Sequence, residues 1–165
     1  EISILEIPLV DSYSIKNESF EKEFTNNLKK VLPIAEKKNV ILTLETDLQP
    51  ERFDSLLSDL ENPYVAANYD IGNSTSLGYD LALEFEIMGK WIKNIHIKDR
   101  IINGNTVPLG NGDANFELFF ASLYKIKYSN DLIIQGARED LTNPNISPEL
   151  TCQKYLNFVK NHIKE

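Results

Sequence analysis

Several short apolar runs of this chain end in side chains that hold cations or move protons. Glu45 follows Val40–Leu44, Asp70 follows Tyr64–Tyr69, His96 lies inside Ile92–Ile97, and Gln135 follows Asp131–Ile134. Carboxylates, imidazoles and carboxamides offer the oxygen and nitrogen donors that divalent cations take, and the first two also accept protons near neutral pH. Each residue has an ordinary structural reading beside that one. Glu45 can pair with a cation at a strand end, Asp70 can cap a helix, and His96 can be a satisfied core histidine. What they share is their place at the end of a run. Side chains alternate along a strand, so Thr43, Glu45 and Asp47 share one side, as do His96, Lys98 and Arg100.

The elements that must position these residues are legible from periodicity. Ile2–Leu9, Val40–Leu44, Tyr64–Tyr69, Ile92–Ile97 and Asp131–Ile134 read as strands, nearly continuous in apolar residues as expected when both faces are covered. Between them, Phe20, Phe24, Leu28, Val31 and Leu32 recur at helical spacing, as do Phe53, Leu56, Leu57 and Leu60. Further helices are predicted over Tyr79–Lys90, Phe116–Lys125 and Pro148–Lys164, with Pro50 and Asn115 marking two helix starts. Strand–helix alternation predicts parallel βα units in an α/β fold, organised as one domain over residues 1–165. By length alone, a flat doubly wound sheet would serve. Ligand-type residues at the same ends of successive strands converge only if the sheet curves around them, which predicts part of a (β/α)₈ barrel with its site at the C-terminal strand ends. A nucleotide-binding flat sheet would also need a glycine-rich loop after its first strand, where Pro8-Leu9-Val10-Asp11-Ser12 stands instead.

Composition excludes other classes. The 165 residues are 42% hydrophobic and 25% charged, with a net charge of −8, so neither a disordered tail nor a nucleic-acid binder is expected. No apolar run approaches the roughly 18 residues of a membrane span, and the opening residues show no signal-peptide pattern. Cys152 is the one cysteine, so no internal disulfide is expected; a cytoplasmic location is the default. A first residue of Glu1 rather than Met suggests a piece of something longer.

Three motifs carry a resemblance. Asn68-Tyr69-Asp70-Ile71-Gly72-Asn73, Ile95-His96-Ile97-Lys98-Asp99 and Val107-Pro108-Leu109-Gly110-Asn111-Gly112, in this order, resemble the sugar-phosphate isomerase/epimerase group of the xylose-isomerase-like TIM barrels, and pentulose-5-phosphate 3-epimerases in particular. Ile4–Asp11 and Leu42–Glu45 extend the match over most of the chain. The resemblance implies a metal held by Glu, Asp, His and Glu on the last four strands of the barrel. Three positions fall on Glu45, Asp70 and His96, and the fourth departs to Gln135. It also implies that the five runs are the last five strands of eight. The first three βα units, roughly 90 residues at about 30 each, are then expected to be missing.

The implied cofactor is a divalent metal: mixed nitrogen and oxygen ligation suits Mn, Zn or Co, and Mg also fits. The implied reaction removes a proton beside a ketone through an enediolate, with Glu45 as base. Gln135 cannot be the second base of a two-face epimerase, although its carbonyl can coordinate a metal. That shifts weight toward one-base isomerisation, dehydration or a silent relative. Lys98 and Arg100 are candidates for holding the enediolate or a phosphate, against a reading as rim cations. Asn73 matches the sugar-phosphate branch. Backbone amides at Gly110 and Gly112 can cradle an anion, although such a pair is more often only a turn. Arg138 is placed to meet a phosphate after the last strand. Trp91 and Tyr79 are read as packing residues, Cys152 as a small buried helix residue, and His162 as a solvated cation at a helix end.

The leading expectation is a metal-dependent sugar-phosphate isomerase or epimerase. The alternative is a catalytically impaired or non-catalytic barrel fragment that binds a sugar phosphate or a partner subunit. A trinuclear endonuclease is disfavoured by the acidic balance and by the two histidines of the chain. Apolar edges at the first and last strands predict a homo-oligomer, or a chain that needs its N-terminal segment.

Overall fold

The structure, a computed structural model, describes residues 2–137 and 147–163. In chain order the elements are β1 (Ile4–Leu9), α1 (Glu18–Lys38), β2 (Ile41–Thr46), α2 (Pro50–Leu60), β3 (Val65–Asp70), α3 (Ile71–Leu77) and α4 (Leu81–Met88). There follow β4 (Ile92–Ile97), β5 (Asp99–Arg100), β6 (Thr106–Val107), α5 (Phe116–Lys125), β7 (Leu132–Ile134) and α6 (Pro148–His162). Five strands form one sheet in the order β1-β2-β3-β4-β7, with helices between them, and β5-β6 is a separate antiparallel ribbon. The β1–β2, β2–β3 and β4–β7 pairs are all parallel. This is the α/β architecture expected from the alternation. The barrel is not closed, because β1 and β7 end the strand order.

The described residues group into two compact units. The first comprises Glu1–Tyr69 and Leu83–Asn94. Its α1 starts at Asn17, whose side chain accepts from the Phe20 N–H, and stops at Asn39 in the left-handed region. Glu18 and Glu21 at its start and Lys37 and Lys38 at its end oppose the helix dipole. The buried stripe is Leu28, Leu32 and Ala35, so the predicted face is displaced: Phe20 and Val31 are exposed. α2 begins on Pro50 at its first turn, where no N–H is required. It buries Phe53, Leu56, Leu57 and Leu60, each contributing about 1.5–3 kcal/mol. Asp54 on this helix accepts from Trp91 Nε1 at 2.7 Å and from Lys90 Nζ at 2.8 Å; the two donors hold its carboxyl below the usual carboxylate range.

The second unit comprises Asp70–Ala82 and Ile95–Glu165. Here the side chain of Asn115 caps α5 and that of Ser147 caps α6. The face of α6 buries Tyr155 and Val159 at i, i+4 spacing. Three elements of this unit lie outside the expected set. α3 has seven residues and follows β3 directly, too short for periodicity to reveal, and the two-residue strands β5 and β6 are shorter still.

Candidate functional site

In the first unit the chemistry gathers on β2 and its neighbours. Glu45 is 6% exposed and accepts from Asn68 Nδ2 at 2.6 Å, and Asn68 Oδ1 in turn accepts from Asn94 Nδ2 at 2.9 Å. The chain of amides runs one way. A carboxylate only accepts, so Asn68 must turn its NH₂ toward Glu45, and its oxygen is then free to receive Asn94. On β1, a Glu6 carboxylate oxygen lies within 4.8 Å of one from Glu45. Glu6 is the register partner of Thr43, which is fully buried and whose Oγ1 has no hydrogen-bond partner. Two ionised carboxylates at that separation repel by about 3–4 kcal/mol at an effective dielectric of 20. A cation or a shared proton offsets this. As hard oxygen donors held close together, the pair fits a divalent ion.

In the second unit the acid is already matched by bases. Asp70 closes β3, and its Oδ1 accepts from the Asn73 N–H at 2.8 Å, which caps α3. Its Oδ2 accepts from Lys98 Nζ at 3.0 Å and lies 3.9 Å from His96 Nδ1. The Asp70 and His96 side chains are only 1% and 5% exposed, whereas Lys98 retains 19%. Lys98 also donates to Asn73 Oδ1 at 3.3 Å, and Arg100 Nη1 donates to the same oxygen at 2.9 Å. Arg100 is anchored from behind by two bonds to the Gly104 carbonyl. Gly72 explains how Lys98 gets there. A Cβ at residue 72 would lie 2.8 Å from Lys98 Cγ and 3.0 Å from Cδ, so the lysine stem crosses the start of α3 where there is no side chain.

The glycine loop behaves differently from the expectation. The N–H groups of Gly110 and Gly112 point to one oxygen of Asp99, at 2.9 and 2.8 Å, and Ala114 N–H donates to the other at 3.3 Å. Asp99 is 1% exposed. The amides that a phosphate would have used are therefore taken by the chain's own carboxylate, which makes Gly110 and Gly112 part of a loop anchor. Gly112 has no room for anything larger, since a Cβ would stand 2.1 Å from Asp99 Oδ1.

Among the other expected residues, Gln135 immediately follows β7 and donates its backbone N–H to the Ile97 carbonyl at 2.9 Å. Arg138 lies outside the described residues. Cys152 is exposed rather than buried, although its i, i+3 and i+7 spacing with Tyr155 and Val159 puts it on their face of α6; it stands one turn nearer the helix start. His162 is at a helix end as expected, yet it is half-buried among aromatic rings, stacked on Phe120 at 5.4 Å and beside Phe158 at 4.6 Å. Reasoning from sequence missed Glu6, Asn68, Asn94 and Asp99 as members of the polar clusters. For Glu6 the signal was present: an acid in the middle of Ile4–Leu9, on the face set by alternation. No helix among the described residues is long and apolar enough to cross a membrane.

Fold and side chains together define a class. The profile of the family described as Xylose isomerase-like TIM barrel matches residues 7–160, and the chain belongs to that family. Among curated proteins, the L-ribulose-5-phosphate 3-epimerase of Salmonella paratyphi C is 27% identical over 138 residues, covering 80% of this chain and 49% of its own length. The chain thus spans about half the length of the curated relatives it matches. Among solved structures, a xylose isomerase domain protein from Planctomyces limnophilus superposes with a TM-score of 0.80 at 17% identity, covering 97% of this chain and 59% of that one. The D-allulose 3-epimerase of Methylomonas sp. gives 0.72 at 18% identity, covering 89% and 57%. These two likenesses establish the fold.

Proposed function

We propose that this chain carries the ligand-bearing strands of a metal-dependent sugar-phosphate isomerase or epimerase. The observation that carries the reading is the cluster of Asp70, His96 and Lys98 at strand ends, where one Asp70 oxygen lies 3.0 Å from Lys98 Nζ and 3.9 Å from His96 Nδ1. Supporting it are the family, whose sites lie at the C-terminal strand ends, and the similarity to a protein named for acting on L-ribulose 5-phosphate. In this reading Glu45, Asp70, His96 and the carbonyl of Gln135 hold a divalent cation, one of Mn, Zn, Co or Mg. The metal, when bound, supplies positive charge that stabilises the developing enediolate.

The rest is the work of the side chains. Glu45 accepts the proton from the carbon next to the carbonyl, and Asn68 holds the carboxylate still through its 2.6 Å bond, limiting the reorganisation needed at the moment of transfer. Lys98, with its ammonium between Asp70 and Asn73, can donate toward an oxygen on which negative charge develops. Arg100 and Asn73 form a polar edge suited to a substrate hydroxyl or phosphate, and Arg138, outside the described residues, is proposed as a phosphate contact from its place in the sequence alone. Proton exchange into substrate tests this directly. Incubation of pentulose 5-phosphates with Mn²⁺-loaded protein in D₂O should place deuterium at the carbon beside the ketone, read by proton NMR. Loss of no substrate proton in any ketose phosphate, with metal bound, would defeat the catalytic reading.

Gln135 specifically favours a second reading, a barrel segment that binds metal and sugar phosphate without turnover. Under it, binding is seen by calorimetry and exchange is not. The partners in either case are a sugar phosphate and a further protein segment, from a second copy or an N-terminal segment of the barrel. Leu5 on β1 and Ile133 on β7 are 48% and 43% exposed on the strands that end the sheet order, the kind of apolar edge that pairs with another chain.

A further inference from the structure

The sequence offers no carboxylate at the fourth ligand position, and the first unit presents one that no motif pointed to. We propose that Glu6 is itself a metal-binding residue, joining Glu45 to supply the anionic charge that Gln135 withholds; this rests on the metal-dependent reading above.

Three observations support it. First, a divalent ion with ligand bonds of about 2.0–2.3 Å holds its donor atoms no more than about 4.6 Å apart. Oxygens of Glu6 and Glu45 already lie within 4.8 Å, so a small closure of flexible side chains brings both onto one ion. Second, the charge balance calls for another acid. Asp70 spends one oxygen on the Lys98 ammonium and the other on the cap of α3, which reduces what it can offer a cation. Third, Thr43 points to a ligand independently of the acids. It is fully buried with its hydroxyl unpartnered, it is the register partner of Glu6, and it shares the face of Glu45 two residues along β2. A buried hydroxyl left unmatched is costly, and a water in the shell of a bound cation would satisfy it. Placement opposite Glu45 as a second base does not suit Glu6, because two bases flanking one carbon need about 6 Å between them at hydrogen-bond reach on each side.

Mn²⁺ titration by calorimetry on the full 165-residue chain, paired with the Mn²⁺-induced shift in Tm, tests the proposal without any assay of activity. Glu6→Gln should weaken Mn²⁺ binding by tenfold or more and abolish most of the Mn²⁺-induced Tm shift. Glu6→Asp should retain much of the affinity. If Glu6→Gln binds Mn²⁺ as wild type does while Glu45→Gln does not, Glu6 is no ligand and the proposed function stands without it. If wild type takes up none of Mn²⁺, Zn²⁺, Co²⁺ or Mg²⁺, the metal reading falls and this proposal with it. Should Glu6→Gln fail to fold, Thr43→Val carries the test: a several-fold loss of affinity is expected, and an unchanged one overturns the proposal.

Discussion

Two buried acids at strand ends, Glu45 in the first unit and Asp70 in the second, have contrasting partners. In the first, Glu45 is met by a neutral amide, itself held by a second amide, with Glu6 close by. In the second, Asp70 is met by the ammonium of Lys98 and the ring of His96, and Asp99 by three backbone N–H groups. Amides orient a carboxylate without themselves neutralising it, so the Asn68 contact is compatible with Glu45 taking a cation or a proton. The Lys98 ammonium neutralises Asp70, so the second arrangement keeps that acid anchored and leaves Lys98 and Arg100 as donors fixed in place. The difference predicts that Glu45 governs proton transfer, that Asp70 and His96 act with it on metal affinity, and that Lys98 and Arg100 govern substrate binding.

The largest expected effect comes from removing the proton acceptor. Glu45→Gln should lower kcat about 10²–10⁴-fold in the exchange or turnover assay, with little change in thermal stability. A residual rate within tenfold of wild type would end the assignment of Glu45 as base. Converting the fourth position should act in the other direction: Gln135→Glu is expected to raise 3-epimerase activity on pentulose 5-phosphates, measured on metal-loaded protein, by restoring a second carboxylate. No gain in a folded, metal-loaded variant would show that Gln135 is not what limits the reaction.

A stability effect follows from the loop anchor. Asp99→Ala would leave the Gly110 and Gly112 amides without their acceptor, at a cost of about 1–3 kcal/mol per buried group in urea denaturation. Gly112→Ala should cost a similar amount by steric conflict with Asp99. The contrast between units is sharpened by Gly72→Ala, which displaces the Lys98 stem. It should raise KM or lower kcat several-fold while Mn²⁺ affinity changes little.

The smallest effect is remote from both clusters. Asp54 is held below its usual pKa by Lys90 and Trp91, so its contribution is present above the unfolded carboxylate value of about 3.9 and is lost as pH falls through the folded value. Asp54→Asn should remove a few tenths of a kcal/mol at pH 7, as expected for a solvent-screened pair, and flatten the acid limb of the stability profile.

How much of this was legible in the sequence depended on the length of the signal. β4 and α5 fall at their predicted bounds because each has a full period of apolar residues between clear stops. β2 and β3 run slightly further than predicted, since the polar residues Glu45, Thr46 and Asp70 end the apolar pattern without ending the strands. α3 was invisible because Gly72, Asn73, Ser74 and Ser76 have poor helix propensity, and a cap at Asp70 together with Gly78 in the left-handed region hold it instead. Lys98 and Arg100 were legible from alternation, and both reach Asn73 as their shared side requires. Glu6 shows in the sequence only as an acid within Ile4–Leu9, because a strand seen alone does not reveal its register; pairing with Thr43 shows which acids share a face.

Asp99 also bears on how such a protein could change its substrate over time. Loops after barrel strands are the natural place to vary specificity, because they can be exchanged without disturbing the scaffold. Here one scaffold carboxylate holds three amides of the 110–114 segment, so loop and strand end are matched like plug and socket. An inserted residue or a lost glycine there would unseat Asp99 and disturb Arg100, its direct neighbour in the chain. Diversification of this segment is therefore expected to proceed by swaps at Asn111, between the anchored amides, with its length held constant and with Asp113 kept as the acceptor of the Ile102 N–H.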